Sequence, residues 1–492
     1  MLERRLVLGV IVTWSVACGS TDSHGRSEGV RAGASGSVGA GRSGGIGAVG
    51  VGTAGRAGGG GAGGNASIAG NTAATSAGGV SNAGGVSTAG GADAGRGAGA
   101  PSYGGVGNYG TGGISSGGAT VGGQADGGAP GSTPAGSVDA VSVGYWHACA
   151  IVRGGVRCWG DNRVGQLGDG SGMNSDVGVP VSGLVSGVKA ISAGYYHTCA
   201  LVGGEVWCWG LNAYGQLGDG STDDSPVPVR VEMLGSSVTA ISAGGNHTCA
   251  LVGDAAYCWG HNEFGQVGDD SSDDRSSPTA VQGASSGVTM IEAGEYQTCA
   301  VRNGTVACWG QEVTGQHDVV PLEVPGTRGA YAVSTGGNVA CALLDTDGAA
   351  GMGGAGANDA AHAICWGANY YGALGNGKTE DSATPVDVTD PNASDGVSSA
   401  SIDQISAGPE TTCAIARGAA YCWGFNLWSS VGDGTTVDRH VPTPVLGLSS
   451  GVTAISVGGE ARNCALERGN VYCWGTGSWP TGSTAPERVT VE

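Results

Sequence analysis

Cysteine placement is the feature that most constrains how this 492-residue chain can fold. Fourteen of the fifteen cysteines form seven pairs, in which the first cysteine precedes Ala and the second begins the phrase C-W-G. Paired cysteines in a repeated phrase predict a seven-unit repeat protein with a disulfide framework, made for an oxidising compartment. The predicted pairs are Cys149 with Cys158, Cys199 with Cys208, Cys249 with Cys258, Cys299 with Cys308, Cys341 with Cys365, Cys413 with Cys422 and Cys464 with Cys473.

Nine positions separate the cysteines in six of these pairs, and this spacing has a geometric explanation. If a two-residue turn lies midway, at Gly203-Gly204 in the second unit, Cys199 lies directly opposite Cys208. The cysteines then form a non-hydrogen-bonded pair with Cα atoms about 4.5 Å apart, which a disulfide tolerates. Each bridge should stabilise its hairpin by roughly 2.5 kcal/mol. A zinc site needs closer ligands, such as C-x2-C, so disulfides are favoured.

The repeat length predicts the fold class. Successive first cysteines lie mostly near 50 residues apart, in units rich in Gly and short runs of β-formers. Such periods indicate propeller blades rather than helical solenoids. In the unit that contains Cys249 and Cys258, strands are expected at 226–231, 238–242, 247–252 and 255–259, the first at a sheet edge because of its prolines. We predict an all-β, seven-bladed β-propeller of four-stranded antiparallel blades over 138–492.

Two units depart from the common pattern. The fifth carries an insertion rich in Gly and Ala at 345–361, between its two cysteines. This insertion is either a tolerated surface loop or a mobile binding loop. The fourth unit loses the L-G-D-G phrase after Gly315-Gln316 and is eight residues short.

Residues 1–17 have the pattern of an export signal peptide. Arg4 and Arg5 precede an apolar run over 6–14, and Ser15-Val16-Ala17 forms a small-residue cleavage site. The apolar run is too short to span a bilayer. The segment ending at Cys18 resembles the lipobox of bacterial lipoproteins, which implies lipid attachment at Cys18 and an outer-membrane or cell-surface location. Ordinary cleavage, a free Cys18 thiol and a secreted protein are the alternative.

Residues 18–137 are predicted to form a flexible linker between the lipid anchor and the propeller. The segment consists mainly of Gly, Ala, Ser and Asn. It cannot bury enough apolar surface to offset the entropy of ordering it. A spacer of this kind would hold the folded head away from the membrane, so membrane contact is expected only through the N-terminal lipid.

The unit G-x-x-H-T-C-A-L…V-x-C-W-G-x-N-x-x-G-Q-L-G-D-G resembles the repeat of the regulator of chromosome condensation family. The resemblance covers the whole head and implies a seven-bladed propeller in which both chain ends contribute strands to one blade. The head begins at the strand 138–142 and ends at 487–491. The last strand is therefore expected to complete the opening blade, which would remove exposed sheet edges.

The family resemblance also implies nucleotide exchange on a small nuclear GTPase, with docking onto chromatin. An exported chain would not meet that GTPase. The formal net charge is −20 and there is no basic tail, whereas phosphate neutralisation needs clustered Lys and Arg. Exchange activity is therefore disfavoured and no nucleic-acid partner is expected, because a shared fold does not imply a shared function.

Repeated polar and aromatic residues are the first candidates for a site. His147, His197 and His247 occupy equivalent positions and could form a metal ring, but other units have different residues there. A structural role, with hydrogen bonds to neighbouring backbone, is favoured. The non-equivalent residues are Gln297, Val339, Thr411 and Arg462. Packing between blades is favoured over sugar stacking for the tryptophans of the W-G phrases, Trp159, Trp209, Trp259, Trp309, Trp366, Trp423 and Trp474.

Acidic loops follow the G-Q-L-G-D-G phrase, and oxygen-rich loops can hold calcium. Their spacing does not match the twelve-residue calcium loop, so solvated turns are favoured over a calcium site. These residues are Asp169, Asp219, Asp223, Asp224, Asp269, Asp270, Asp273 and Asp274. The sequence contains neither a G-x-S-x-G nor an H-E-x-x-H motif, and no cofactor is expected.

Together these features favour a non-catalytic, monomeric binding propeller of the cell envelope, which presents loops to a protein or polysaccharide partner. A hydrolase or lyase acting on an extracellular polymer is the alternative. Carboxylates or histidines outside the repeat pattern at one channel mouth would favour the enzyme. A varied loop face with exposed aromatic residues would favour binding, and the candidates are Tyr145, Trp146, Tyr195, Tyr196 and Trp428.

Overall fold

The computed structural model describes residues 114–115, 118–119, 138–311, 317–345, 362–389, 402–459, 462–475 and 483–491. The predicted signal peptide, Cys18, most of the predicted linker and the 346–361 part of the fifth-unit insertion lie outside the described residues. Every regular element in the described part is a β-strand, and it contains no helix that could cross a membrane.

Seven antiparallel sheets confirm the predicted propeller, and each is built from four consecutive strands, named here a to d from the channel outward. The a strands are Val138–Val143, Val188–Ala193, Val238–Ala243, Val288–Ala293, Ala330–Thr335, Ile402–Ala407 and Val452–Val457. The b strands are His147–Val152, His197–Val202, His247–Val252, Gln297–Arg302, Val339–Leu344, Thr411–Ala416 and Asn463–Glu467. The c strands are Gly155–Gly160, Glu205–Gly210, Ala255–Gly260, Thr305–Gln311, His362–Gly367, Ala419–Gly424 and Asn470–Trp474. The d strands are Ser175–Pro180, Ser225–Arg230, Arg275–Ala280, His317–Glu323, Ser382–Asp387, Arg439–Pro444 and Glu487–Val489.

Two short strands add a hairpin to the first sheet. Ile114–Ser115 pairs with Gly118–Ala119, and Ala119 lies opposite Val141 in the first a strand. The first sheet therefore has six strands rather than four.

The blade boundaries differ from the sequence prediction by one strand. The proline-bearing strand Ser225–Arg230 pairs backward with Glu205–Gly210, with Val229 opposite Cys208. It is an edge strand, as its prolines suggested, but it closes the second blade instead of opening the third. The prediction was wrong because a long segment joins strands c and d, and its sequence does not reveal the direction of pairing.

The expected closure of the opening blade by the last strand is also wrong. Glu487–Val489 pairs with Asn470–Trp474 and completes the seventh blade, because the head starts at a complete a strand and ends at a complete d strand. The ring closes through contacts between separate sheets. The Val138 N–H donates to the Gly469 carbonyl over 3.2 Å, and Val491 packs in the apolar cluster shared by blades seven and one.

Seven disulfides join strands b and c within single blades, and no residue of a second blade takes part. Paired Cα atoms lie 4.0–4.1 Å apart. Each bridge therefore pins one hairpin. The bonds are Cys149 to Cys158, Cys199 to Cys208, Cys249 to Cys258, Cys299 to Cys308, Cys341 to Cys365, Cys413 to Cys422 and Cys464 to Cys473.

The register of these hairpins is the one expected from the cysteine spacing. In the second blade Cys199 lies opposite Cys208, and Val202 lies opposite Glu205. Five of the six short turns have positive φ at both central residues, as in type I′ turns. The turn Gly253-Asp254 has positive φ only at Gly253.

A collar of seven glycines surrounds the channel where the a strands end. A Cβ atom added at any of them would lie 2.0–2.4 Å from an atom of the next blade, which no side chain can tolerate. In six cases that atom is the carbonyl oxygen of the next collar glycine. The collar consists of Gly144, Gly194, Gly244, Gly294, Gly336, Gly408 and Gly458.

Two residues before each collar glycine, a second ring links the a strands. In six blades this residue is Ser, whose hydroxyl accepts a hydrogen bond from a main-chain N–H of the next blade over 2.8–3.1 Å. The fourth blade has Glu292 instead, which is fully buried, and neither of its carboxyl oxygens has a hydrogen-bond partner. The interface between blades four and five therefore contains an unsatisfied acid where the other six interfaces have a bond.

We expect Glu292→Ser to stabilise the head by about 1 to 3 kcal/mol, the usual cost of an unsatisfied buried polar group. Burial raises the pKa of Glu292 well above its ordinary value of 4.5. The unfolded chain releases this proton near pH 4.5 while the folded chain retains it, so the cost grows as the pH rises above 4.5. Urea unfolding at pH 4 and pH 7 should give a larger gain at pH 7. Ser242→Ala is the matched control and should lose stability; an equal gain at both pH values would contradict the assignment.

The free energy of unfolding that is lost when a disulfide is removed should increase with the length of the loop that the disulfide closes. Replacing Cys199 and Cys208 by Ala opens a short loop and should cost roughly 2.5 kcal/mol. Cys341 and Cys365 are 24 positions apart, so their removal should cost about 0.8 kcal/mol more on the chain-entropy relation. Urea denaturation of the two double variants measures both losses. A smaller loss for the longer loop would argue against this account.

Candidate functional site

The repeated histidines link neighbouring blades instead of forming a metal site. Nε2 of His147 lies 2.6 Å from the Thr198 hydroxyl of the next blade, and His197 and His247 make the same contact at 2.9 and 2.8 Å. The structural interpretation was right, but the partner is a threonine hydroxyl instead of the expected backbone. The described residues contain no group of three or more His, Cys, Asp or Glu that could hold a metal ion.

The tryptophans hold blades together through the segments that join strands c and d, named connectors here. The connectors are 161–174, 211–224, 261–274, 368–381 and 425–438. An indole N–H donates to a carbonyl of the preceding blade's connector over 2.8–2.9 Å at five interfaces. This agrees with a packing role. The donors and their acceptors are Trp209 with Gln166, Trp259 with Gln216, Trp309 with Gln266, Trp423 with Ala373 and Trp474 with Ser430.

Each connector is folded around a buried Asn that follows the W-G phrase. In the first blade, Asn162 Oδ1 accepts from the Leu167 N–H over 2.9 Å, and its amide donates to Asp169 over 3.0 Å. Asp169 also accepts from the N–H and hydroxyl of Ser171. Partial burial opposes ionisation, but these hydrogen bonds outweigh it and lower the pKa of Asp169. The first aspartate of this loop therefore organises a turn.

The face around the collar carries the side chains that vary from blade to blade. We call the collar glycines and the two residues after each of them the channel mouth. In blades one and two these residues are aromatic: Tyr145 and Tyr195 have ring centroids 4.5 Å apart, and Trp146 donates to the Tyr196 hydroxyl over 2.9 Å. All four lie at the mouth, but they are half-buried rather than exposed as the sequence suggested.

Arg462 anchors this aromatic group from the seventh blade. Its guanidinium lies 4.4 Å from the centre of the Trp146 ring and donates to the Tyr145 carbonyl over 2.6 Å. The side chain is only 2% exposed. A cation on the ring face and a donor to the main chain together fix the orientation of Trp146.

Carboxylates complete the mouth opposite the aromatic group. Glu295 lies beside the Tyr195 hydroxyl, which is shielded from solvent, although their geometry falls short of a regular hydrogen bond. Burial and the nearby Glu295 raise the pKa of Tyr195, and the same causes raise the pKa of Tyr296 to about 12. Partial burial and the charges of Asp438 and Glu295 raise the pKa of Glu410. The mouth therefore combines aromatic rings with negative charge.

Two further aromatic groups extend outward across the connectors on the same face. One links Tyr371 to Phe425, and Phe425 to Trp428, with centroids 4.8 and 5.4 Å apart. The exposed fractions of Tyr370 and Trp428 are 77% and 42%, so this group offers contact area to a partner. The other group consists of Tyr214, His261, Phe264, Tyr296 and His317.

Sequence reasoning found the aromatic part of this face and missed its acidic part. Glu295, Tyr296 and Glu410 were not singled out, although each follows a collar glycine by one or two positions. The sequence signal that could have identified these residues is variation within an otherwise repeated phrase. The glycine before these residues is the same in every unit, whereas the two positions after it vary among the blades.

Comparison with known families agrees with the propeller geometry. The profile of the "Regulator of chromosome condensation (RCC1) repeat" matches residues 153–201, 203–251, 254–301, 362–415 and 417–461. A second profile of the same repeat matches residues 138–166, 188–216 and 238–266, and together the two cover more than half of the chain. The chain belongs to the RCC1 repeat family.

Curated relatives share only part of their length with this RCC1-repeat chain. The Ultraviolet-B receptor UVR8 of Arabidopsis thaliana is 33% identical over 115 residues, which is 23% of this chain and 25% of the receptor. The human E3 ubiquitin-protein ligase HERC2 is 32% identical over 114 residues, 22% of this chain and 2% of the ligase. The chain therefore matches a quarter or less of the length of these two relatives.

Solved RCC1-type structures share the fold. Prp20p of Saccharomyces cerevisiae, described with its binding properties to Gsp1p and histones, aligns with a TM-score of 0.57 and 21% identity. That alignment covers 68% of this chain and 86% of Prp20p. Human WBSCR16 aligns with a TM-score of 0.55 and 22% identity over 65% of this chain and 84% of its own.

The buried histidines should make the RCC1 head sensitive to acid. Burial lowers the pKa of His247 from 6.5 to about 3, so the folded chain keeps it neutral while the unfolded chain takes up a proton below pH 6.5. The free energy of unfolding linked to this histidine is fully present above pH 6.5 and is lost as the pH falls toward 3. At pH 5 the loss is about 2 kcal/mol. The fourth blade has Gln297 at the equivalent position, so His247→Gln should reduce the difference between urea unfolding at pH 7.5 and pH 5. An unchanged pH dependence would contradict the neutral state.

Proposed function

We propose that this protein is a non-catalytic binding propeller of the cell envelope, and that it holds a protein or polysaccharide partner at the channel mouth. The observation that carries the proposal is the placement of varied aromatic and acidic side chains on one face of an otherwise repeated scaffold. Binding residues often lie on loops that a rigid framework positions. Aromatic side chains are also the common anchors of interfaces.

Location at the cell envelope is supported by the sequence and by the cysteines. The export pattern over 1–17 and the lipobox-like segment ending at Cys18 favour a lipid-anchored protein, with secretion as the alternative. Seven disulfides fit an oxidising compartment, because thiols in the cytosol are kept reduced.

The acidic mouth disfavours a nucleic-acid partner. Glu295 and Glu410 lie where a phosphate backbone would need Lys or Arg. Nucleotide exchange, which the names and descriptions of some relatives suggest, is the least favoured function. It would be supported by stimulated nucleotide release from a GTPase.

A hydrolase or lyase acting on an extracellular polymer is the second candidate, because Glu295 and Glu410 are carboxylates outside the repeat pattern at the channel mouth, a feature expected of an enzyme. Glu410 has a raised pKa and lies near enough to Glu295 for their charges to interact. A carboxyl group with a raised pKa can serve as a general acid. Glu410 is only partly shielded from solvent, however, and it lacks the deep burial that catalytic acids use. Loss of polymer cleavage in a Glu410→Gln variant would establish the enzyme.

Binding on the face that carries the channel mouth can be tested by removing one exposed ring from each end of the blades. The full-length protein should bind isolated envelope material, and Trp428→Ala should weaken this binding at least tenfold because interface aromatics carry much of the affinity. Tyr331→Ala is the matched control, since Tyr331 is 46% exposed at the opposite end of an a strand. Protease or glycosidase treatment of the envelope material distinguishes the two partner classes. Equal loss in both variants would refute the proposed face.

A further inference from the structure

Connectors fill the slots between neighbouring blades, and they do so with a constant chemistry. Each places one Leu or Val in the core between its own blade and the next, and that side chain is completely buried. Leu167, for example, packs with Ile191 and Trp209 of the second blade. The five residues of this type are Leu167, Leu217, Val267, Leu374 and Val431.

The residues on either side of this apolar side chain are equally constrained. The preceding residue presents its carbonyl to the indole of the next blade, as Gln166 does to Trp209. The following residue is Gly, and a Cβ added at Gly168 would lie 2.7 Å from Nε1 of that indole. A segment that fills such a slot therefore supplies a carbonyl, an apolar side chain and a glycine, in that order.

None of the described residues fills the slot between blades four and five in this way. In blade four, strand c continues to Gln311, which pairs with His317, so only 312–316 join strands c and d. A cavity of about 180 Å³ lies where a connector inserts elsewhere. Its lining includes Trp366 and Ala340 of blade five and Leu322 of blade four. This missing connector is the eight-residue deficit seen in the sequence.

Trp366 shows the effect of the open slot. It is 8% exposed, whereas the equivalent Trp309 and Trp423 are 1% and 0% exposed. Its indole N–H has no hydrogen-bond acceptor among the described residues, in contrast to the five indoles that donate to connectors. The described residues therefore leave an indole donor unused beside a cavity that both apolar and polar side chains line.

A copy of the connector phrase occurs far from any blade, in the glycine-rich segment before the head. Residues 103–108 read Y-G-G-V-G-N, against F-G-Q-V-G-D at 264–269 and Y-G-A-L-G-N at 371–376. The aromatic residue, the glycine after it, the apolar residue, its following glycine and the final Asp or Asn all correspond. The copy thus has every element that the slot requires.

We propose that residues 103–108 dock in the slot between blades four and five as a detached connector. The Gly105 carbonyl accepts from the Trp366 indole, Val106 enters the cavity, and Gly107 lies against the ring. The roughly thirty residues to the first blade give a root-mean-square reach of roughly 30 Å. The strand Ile114–Ser115, shortly after the copy, lies beside the a strands of blades four and five. Docking would shorten the free tether behind the head and is independent of the partner proposed for the channel mouth.

Hydrogen–deuterium exchange on the full-length protein tests this docking. Amides of 103–108 should exchange at least tenfold more slowly than those of 48–53, whose sequence A-V-G-V-G-T lacks the aromatic residue, the glycine that follows it and the final Asn. Val106→Asp should abolish the protection, whereas the matched control Val51→Asp should leave it unchanged. Trp366→Phe removes the indole donor together with one ring of the side chain and should reduce the protection at least twofold. Near-ultraviolet circular dichroism verifies that each variant is folded.

Equal exchange of 103–108 and 48–53 in the unmodified protein would overturn the proposal. Binding of a synthetic peptide of residues 102–110 then shows why the segment is not protected. Binding of the peptide to the unmodified protein with the same affinity as to a variant lacking 103–108 would mean that the slot is vacant and takes a segment of another protein. Failure to bind either would mean that the slot holds no such segment. Binding only to the deletion variant, together with slow exchange in the unmodified protein, is the expected result.

Discussion

The ring of blades depends on one carbonyl group in the middle of each connector. At the interface of blades one and two, the Gln166 carbonyl accepts from the Trp209 indole and from the Thr198 hydroxyl, and Thr198 in turn contacts His147. All four groups are buried, so a missing partner would leave a polar group without water. Such a network fixes the distance and the orientation between two sheets that share no main-chain ladder.

Conserved chemistry within the repeat therefore lies between blades, and varied chemistry lies at the channel mouth. The collar glycines permit the close approach of the a strands, and the ring of serines bonds these strands together. The two residues after each collar glycine lie at the channel mouth, and their side chains make no contact that is common to all blades. Aromatic residues occupy them in blades one and two and a carboxylate in blade four, which gives one face its character without altering the scaffold.

Local features of this fold could be predicted from the sequence, and features that depend on pairing between distant segments could not. The nine-residue cysteine spacing and a central turn determine the hairpin register, so Cys199 and Cys208 were placed correctly. The pairing of Ser225–Arg230 was not, because it depends on how the 211–224 connector folds around Asn212. Glu295 and Glu410 were missed for a similar reason: their proximity appears only when seven strand ends meet at one mouth. The role of Glu292 likewise required knowledge that its equivalents bond to the next blade.

Because every blade is built from four consecutive strands, the fold tolerates changes in chain order and in the number of units. No sheet contains strands from both ends of the chain, so the junction of blades seven and one is equivalent in kind to the other six. Circular permutation at any loop between blades would leave all seven sheets and all seven disulfides intact. Duplication or loss of a complete unit would likewise interrupt no ladder. It would change only the diameter of the ring, and with it the width of the channel.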